Sequence, residues 1–226
     1  PRGIGHLYKL EILSLGMNWL RDPVPQELFN ISTLRVLSID GNDFSGILPS
    51  TLDVTLPNLE VLYLGGNKFT GIILPTLSNA SKLTHLDLED NKFIGAIPDS
   101  LGNLRFLERL ALSSNNFTLT GDMTFFNSIG NCRYLRILWL DENPLNGNLS
   151  VSLGNLSNSV VSLSMSHCGI GGGIPRSLSN LSHLININLA SNGLTGTIPS
   201  SISGFLKLPC IIFQHHKIHG PLPRAF

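Results

Sequence analysis

Charge is scarce in this chain of 226 residues: Asp, Glu, Lys and Arg make up 13% of it, and the two signs balance at 15 each. No basic field is available to draw in nucleic acid, and no acidic field to repel it. Long apolar runs are missing as well. Although 42% of the residues are hydrophobic, no run approaches the about 18 residues that a membrane span needs. Cysteine is sparse. Cys132, Cys168 and Cys210 cannot all pair, and their separations of 36 and 42 match no zinc spacing. They are expected to be unpaired, mostly buried thiols acting as small apolar groups.

Repetition is what the chain has instead. Residues 83–98 read LTHLDLEDNKFIGAIP, and the skeleton returns as LRVLSIDGNDFSGILP at Leu34, LEVLYLGGNKFTGIILP at Leu59 and LININLASNGLTGTIP at Leu184. Registers start at Leu10, Leu34, Leu59, Leu83, Leu107, Leu135, Val160, Leu184 and Leu208, with steps of 24, 25, 24, 24, 28, 25, 24 and 24. A unit of about two dozen residues suits one short strand and a return, and is too short for a helix pair. In each unit two leucines flank one residue, as Leu86 and Leu88 flank Asp87, which is the alternation of a strand. An Asn follows, able to cap turn backbone from inside: Asn18, Asn42, Asn67, Asn91, Asn115, Asn143 and Asn192 form the expected ladder. Gly95 permits the next bend, Ile97-Pro98 starts the return, and Leu101, Leu104 and Leu107 are spaced for a 3₁₀ turn behind. No unit can bury its apolar face alone, so each buries it against its neighbours. That sharing accounts for the low charge and high hydrophobic content without a membrane.

The skeleton LxxLxLxxNxLxGxIPxxLxxLxxL resembles the plant-specific class of leucine-rich repeat, found mainly in extracellular receptor kinases and receptor-like proteins. The resemblance covers essentially the whole chain. FFNSIGNCRYLRILWLDENPLNGNL and SVVSLSMSHCGIGGGIP further resemble the immune-type receptor kinase subfamily. The fold expected is a single α/β unit, a right-handed leucine-rich-repeat solenoid over residues 1–226. Its parallel β-sheet lies on the concave face, with 3₁₀ or irregular turns on the convex face. The resemblance implies ligand or co-receptor binding by part of an extracellular plasma-membrane receptor, in defence or peptide signalling. A secreted inhibitor of the polygalacturonase-inhibitor type uses the same unit and is the competing expectation; a truncated product without function is a third.

Several units depart from the template. Residues 1–7 read as the tail of a return and PLPRAF as a return with nothing after it. Capping units, signal peptide and kinase module are absent, so the chain is expected to be a fragment whose terminal units fray or self-associate. The first unit has Asp22 where Gly is usual. The fifth, NNFTLTGDMTFFNSIGN, is expected to bulge at the side or back and interrupt any second ladder there. In the last, Pro209 stands beside the strand and His216 takes the Asn slot.

Nothing in the template requires a catalytic residue, a cofactor or a metal. His215, His216 and His219 point in divergent template directions, and GIGGGIP lacks the Lys-Ser/Thr and helix of a phosphate loop. Asp87, Glu89 and Asp90 could suggest a carboxylate pair, but they lie along one strand and its exit turn with no cleft expected. A partner-contacting face is the reading preferred. Along the concave column, Ser14, Ser38, Tyr63, Asp87, Ala111, Trp139, Ser164, Asn188 and Ile212, only the middle carries large groups. His85, Arg109, Glu89, Asp90, Asp141 and Glu142 enrich the same region. Tyr63 and Trp139, roughly 15 Å apart, are expected to anchor an extended peptide or protein ligand of basic character. Sequons stand at Asn30, Asn79, Asn116, Asn148, Asn155 and Asn180, all but Asn148 at a return, back or strand exit where a glycan would leave the concave face clear.

Overall fold

The computed structural model describes residues 2–120, 124–205 and 208–223. Among them, nine three-residue strands, from Ile12–Ser14 to Cys210–Ile212, form one parallel sheet in strict chain order. The register is the sequence register: Tyr63 pairs with Asp87, Asp87 with Ala111, and Ala111 with Trp139. In the seven inner strands the middle residue is buried and the first is half-buried, so Leu37, Leu62, Leu86, Leu110, Leu138 and Leu163 make one fully buried column. This is a leucine-rich-repeat solenoid with stacked parallel sheets and short 3₁₀ turns such as Asp99–Asn103 and Arg176–Asn180 behind.

A second, five-stranded parallel sheet runs along one side through Arg21–Pro23, Asp43–Ile47, Lys68–Gly71, Lys92–Ala96 and Asn116–Thr118. Beneath it Phe69, Phe93 and Phe117 stack as a spine, with ring centroids 6.2 and 5.9 Å apart and planes within 3° and 9°. Four of the five strands carry a left-handed residue, and Gly71 and Gly95 supply it at φ 86° and 83°. Asp22 holds the same conformation at φ 77°, a strain of about 1–2 kcal/mol for a residue with a β-carbon.

The lengthened fifth unit ends this side sheet at Asn116–Thr118. Residues 121–123 of the insert lie outside the described residues. Its continuation is not irregular, as the template suggests, but one α-turn at Phe125–Ile129 on the convex side, with Phe125, Phe126 and Ile129 buried. Three apolar side chains within five residues hold it against the neighbouring turns. A second short α-turn stands at Leu52–Thr55. Among the described residues, side pairing resumes only as isolated bridges and the pair Thr195–Gly196 with Lys217–Ile218.

Candidate functional site: the middle of the concave face

Asn91 explains how the inner face is held to shape. Its Nδ2 lies 3.2 and 2.9 Å from the carbonyl oxygens of Leu88 and Glu89 in its own turn, and 3.0 Å from Leu64 O of the preceding unit. Its Oδ1 accepts from Phe69 N at 2.9 Å. One side chain thus stitches two units. Asn42, Asn67, Asn115, Asn143 and Asn192 repeat this pattern, whereas Asn18 is exposed and reaches only Leu15 O and Gly16 O. Cys168, in the same slot, places Sγ 3.3 Å from both Leu140 O and Ser166 O, and burial pushes its thiol up to about 12. Cys132 is equally buried and raised to about 12, while Cys210 is half-buried; all three are free. His216 does not copy Asn: Nδ1 reaches Asn192 O at 2.8 Å, and Nε2 is buried without a partner.

The residue before each ladder position turns left-handed throughout. Only Gly41 and Gly66 use glycine there; Met17, Asp90, Ser114, Glu142, His167, Ser191 and His215 sit at φ between 47° and 57°. The template reading missed this column. Its signal was in the sequence, as a glycine in two of nine equivalent slots.

On this frame the central side chains converge on Arg109. Its Nη2 lies 3.0 Å from Asp87 Oδ2 and 3.4 Å from Glu89 Oε2, and the guanidinium sits 4.4 Å from the centre of the Trp139 ring. The indole Nε1 donates to Ser162 Oγ at 2.9 Å. The Arg109 and Asp87 side chains are only 19% and 17% exposed, so this cluster is partly withdrawn from water. Beneath it Ala111 is fully buried. Burial, then the neighbouring Asp87, push the Glu89 carboxyl above its ordinary range, and burial likewise raises Tyr63. Tyr63 meets His85 edge to face at 6.2 Å, and Thr84 Oγ1 lies 2.9 Å from His85 Nδ1.

Three expectations need correction. The acidic pair does lie in a depression: Asp87 and Glu89 line a shallow hollow of about 570 Å³, together with Asp40, Tyr63, His85 and Arg109. It exists because Gly41, Gly65 and Gly66 leave its floor bare, and Asp40 and Met17, unforeseen, form its far rim. Second, Trp139 is not a free anchor, since Arg109 covers one face. Third, Asp141 is already satisfied. Its Oδ1 accepts from Ser164 Oγ, Ser166 N and Ser166 Oγ at 2.5–2.7 Å, and its Oδ2 from Ser113 Oγ at 3.3 Å. Glu142 is exposed and accepts from Ser114 Oγ at 2.8 Å, and Asp90 is exposed outside the hollow.

The sequon residues Asn30, Asn79, Asn116, Asn148, Asn155 and Asn180 are all exposed. Among the described residues, no group of three or more potential ligands is placed to hold a metal. His215 and His219 are exposed, apart from the half-buried His216.

Family comparison agrees with the geometry. Models of the leucine rich repeat match residues 32–93 and 57–117, and again 159–181 and 183–205. Phytosulfokine receptor 1 of Arabidopsis thaliana is 31% identical over 51 residues, which are 23% of this chain and 5% of that receptor. The Arabidopsis receptor kinase HAESA, solved with the peptide hormone IDA and the co-receptor SERK1, is 32% identical with a TM-score of 0.88, over 96% of this chain and 36% of that one. The ectodomain of the Arabidopsis thaliana receptor kinase GASSHO1/SCHENGEN3, solved with CASPARIAN STRIP INTEGRITY FACTOR 2, is also 32% identical. Its TM-score is 0.87, over 100% of this chain and 26% of that one. The chain therefore spans no more than 36% of these relatives.

Proposed function

The chain belongs to the leucine-rich-repeat family, and from that premise we propose that its concave face reads a ligand for a plant receptor ectodomain, in peptide or defence signalling. The ligand is an extended peptide or protein loop of basic character, and a co-receptor is a further partner. One observation carries the reading: the aromatic and charged side chains of the inner sheet gather at Tyr63, His85, Asp87, Glu89, Arg109 and Trp139, beside a hollow, while the strands of the flanking units carry neither charge nor aromatic ring. Aromatic and arginine side chains set in partly dry surroundings are where binding energy concentrates. HAESA, which holds a peptide hormone and a co-receptor, supports the same use of the fold. The role is binding, without catalysis or cofactor.

Among the described residues no helix is long and apolar enough to cross a membrane. The reading assigns the chain to the extracellular face of the plasma membrane, attached through other segments, with N-glycans on the six exposed sequons.

A peptide-display library sorted against the chain tests the site. Selected peptides should bind Asp87→Ala and Trp139→Ala about tenfold or more weakly, because each change dismantles the Arg109 cluster. Ser14→Ala and Asn188→Ala, far along the same column, should bind as the parent does. Equal affinity for all four variants would overturn the proposed site.

A further inference from the structure

We infer that the hollow over Gly65 and Gly66 is a socket for one cationic side chain of the ligand, an arginine in preference to a lysine. The inference rests on the concave-face reading and adds the chemistry of its central contact.

The socket is made by omission. The two positions before each ladder Asn point away from the core, and in the third unit alone both are glycine; Gly41 of the preceding unit adjoins them. A β-carbon built on Gly65 would lie 2.8 Å from Asp87 Oδ1, so the carboxylate leans over the bare backbone. Gly65 has ordinary backbone angles, unlike Gly66 at φ 63°. The equivalent slot holds Asp40, Glu89, Ser113 and Asp141 in other units. The backbone therefore does not require glycine at this position, which Gly16 repeats in the first unit; a side chain there needs only the Asp87 carboxylate to shift. What its absence of a side chain provides is space.

Charge selects the occupant. Asp40, Asp87 and Glu89 face the hollow, and among its described lining residues Arg109 is the one fixed cation. Arg109 is already engaged by Asp87, Glu89 and the Trp139 ring. Asp87 Oδ1 accepts only a weak 3.2 Å bond from Glu89 N, and Asp40 Oδ1 takes one hydroxyl, from Ser38. Both carboxylates keep lone pairs for an incoming donor. Their partial withdrawal from water strengthens attraction to a cation. An anion would meet net repulsion there, and an apolar side chain would strip water from the carboxylates without replacing its hydrogen bonds. A guanidinium offers a planar fork for two carboxylates and a face for the Tyr63 ring, which a lysine ammonium does not.

The test follows the glycine amides of the ¹⁵N-labelled chain by NMR during titration with N-acetyl-argininamide, N-acetyl-lysinamide and N-acetyl-norleucinamide. Saturable shifts at Gly41, Gly65 and Gly66 are expected with the arginine probe, weaker ones with lysine and none with norleucine. Gly65→Gln, which fills the space as other units do, should abolish them while leaving the remaining spectrum folded. No saturable shift, equal shifts with norleucine, or shifts that survive in Gly65→Gln would overturn the socket. The display-selected peptides separate the two proposals. Affinity lost in Trp139→Ala but unchanged in Gly65→Gln removes the socket and leaves the site. Affinity unchanged in both removes both.

Discussion

Replacing Asn91 by Leu isolates what a single ladder side chain contributes. The substitution leaves Phe69 N without its acceptor in a buried place and takes one of two donors from each of Leu64 O, Leu88 O and Glu89 O. The expected cost is about 1–3 kcal/mol, read from denaturant midpoints. His216→Asn is expected to be neutral or stabilising, since it removes a buried nitrogen without a partner. Both changes within error of zero would contradict the inward role of the slot. Glu89 adds a pH signature. Its folded carboxyl is raised, chiefly by burial, so its contribution to stability is fully present in acid and is lost as pH rises through the raised value. Glu89→Gln should therefore gain on the parent in melting temperature as pH climbs from about 4 towards neutrality. A difference independent of pH would contradict that sign.

At the scale of an element, the phenylalanine spine links consecutive units of the side sheet. Phe93 is fully buried between Phe69 and Phe117. Phe93→Ala should cost about 3–5 kcal/mol, because rings on both sides keep the cavity open. A loss near 1 kcal/mol by chemical denaturation would mean that the neighbours collapse into it. The spine stops where the fifth unit lengthens, and the convex helix Phe125–Ile129 takes over core filling with two phenylalanines of its own. The insert is thus a change in which side of the solenoid supplies the aromatic core.

For the whole molecule, stability is a sum of units and of the contacts between neighbours. Central leucines such as Leu86, Leu110 and Leu138 are fully buried, whereas at one edge of the stack Ile12 and Met17 are exposed and Trp19 is 97% exposed. Amide exchange should accordingly be slowest for the strands His85–Asp87, Arg109–Ala111 and Ile137–Trp139. It should be fastest for Ile12–Ser14 and Cys210–Ile212, which each have one neighbour among the described strands. Uniform protection from end to end would argue for a globally cooperative unit instead.

The sequence by itself determined the period, the buried leucine columns, the concave column and the inward Asn slot. All follow from local spacing: a strand alternates, a parallel stack repeats it in register, and Asn has donor and acceptor enough to bridge two turns. Gly65-Gly66 was equally visible, but its meaning was not. A bare pair becomes a hollow only when Asp40 stands on one side and Asp87 on the other, and those residues are its neighbours only across the sheet. Tertiary structure also decided which carboxylates remain available. Asp87 and Asp141 look alike in sequence, one per unit on the same face. Packing gives Asp141 four donors from three serines of the two neighbouring units, and gives Asp87 one arginine and an open edge. Side-chain direction and partner choice are set by contacts between units about 4.8 Å apart in space and two dozen residues apart in the chain, a distance at which the repeat pattern fixes the neighbour but not the bond.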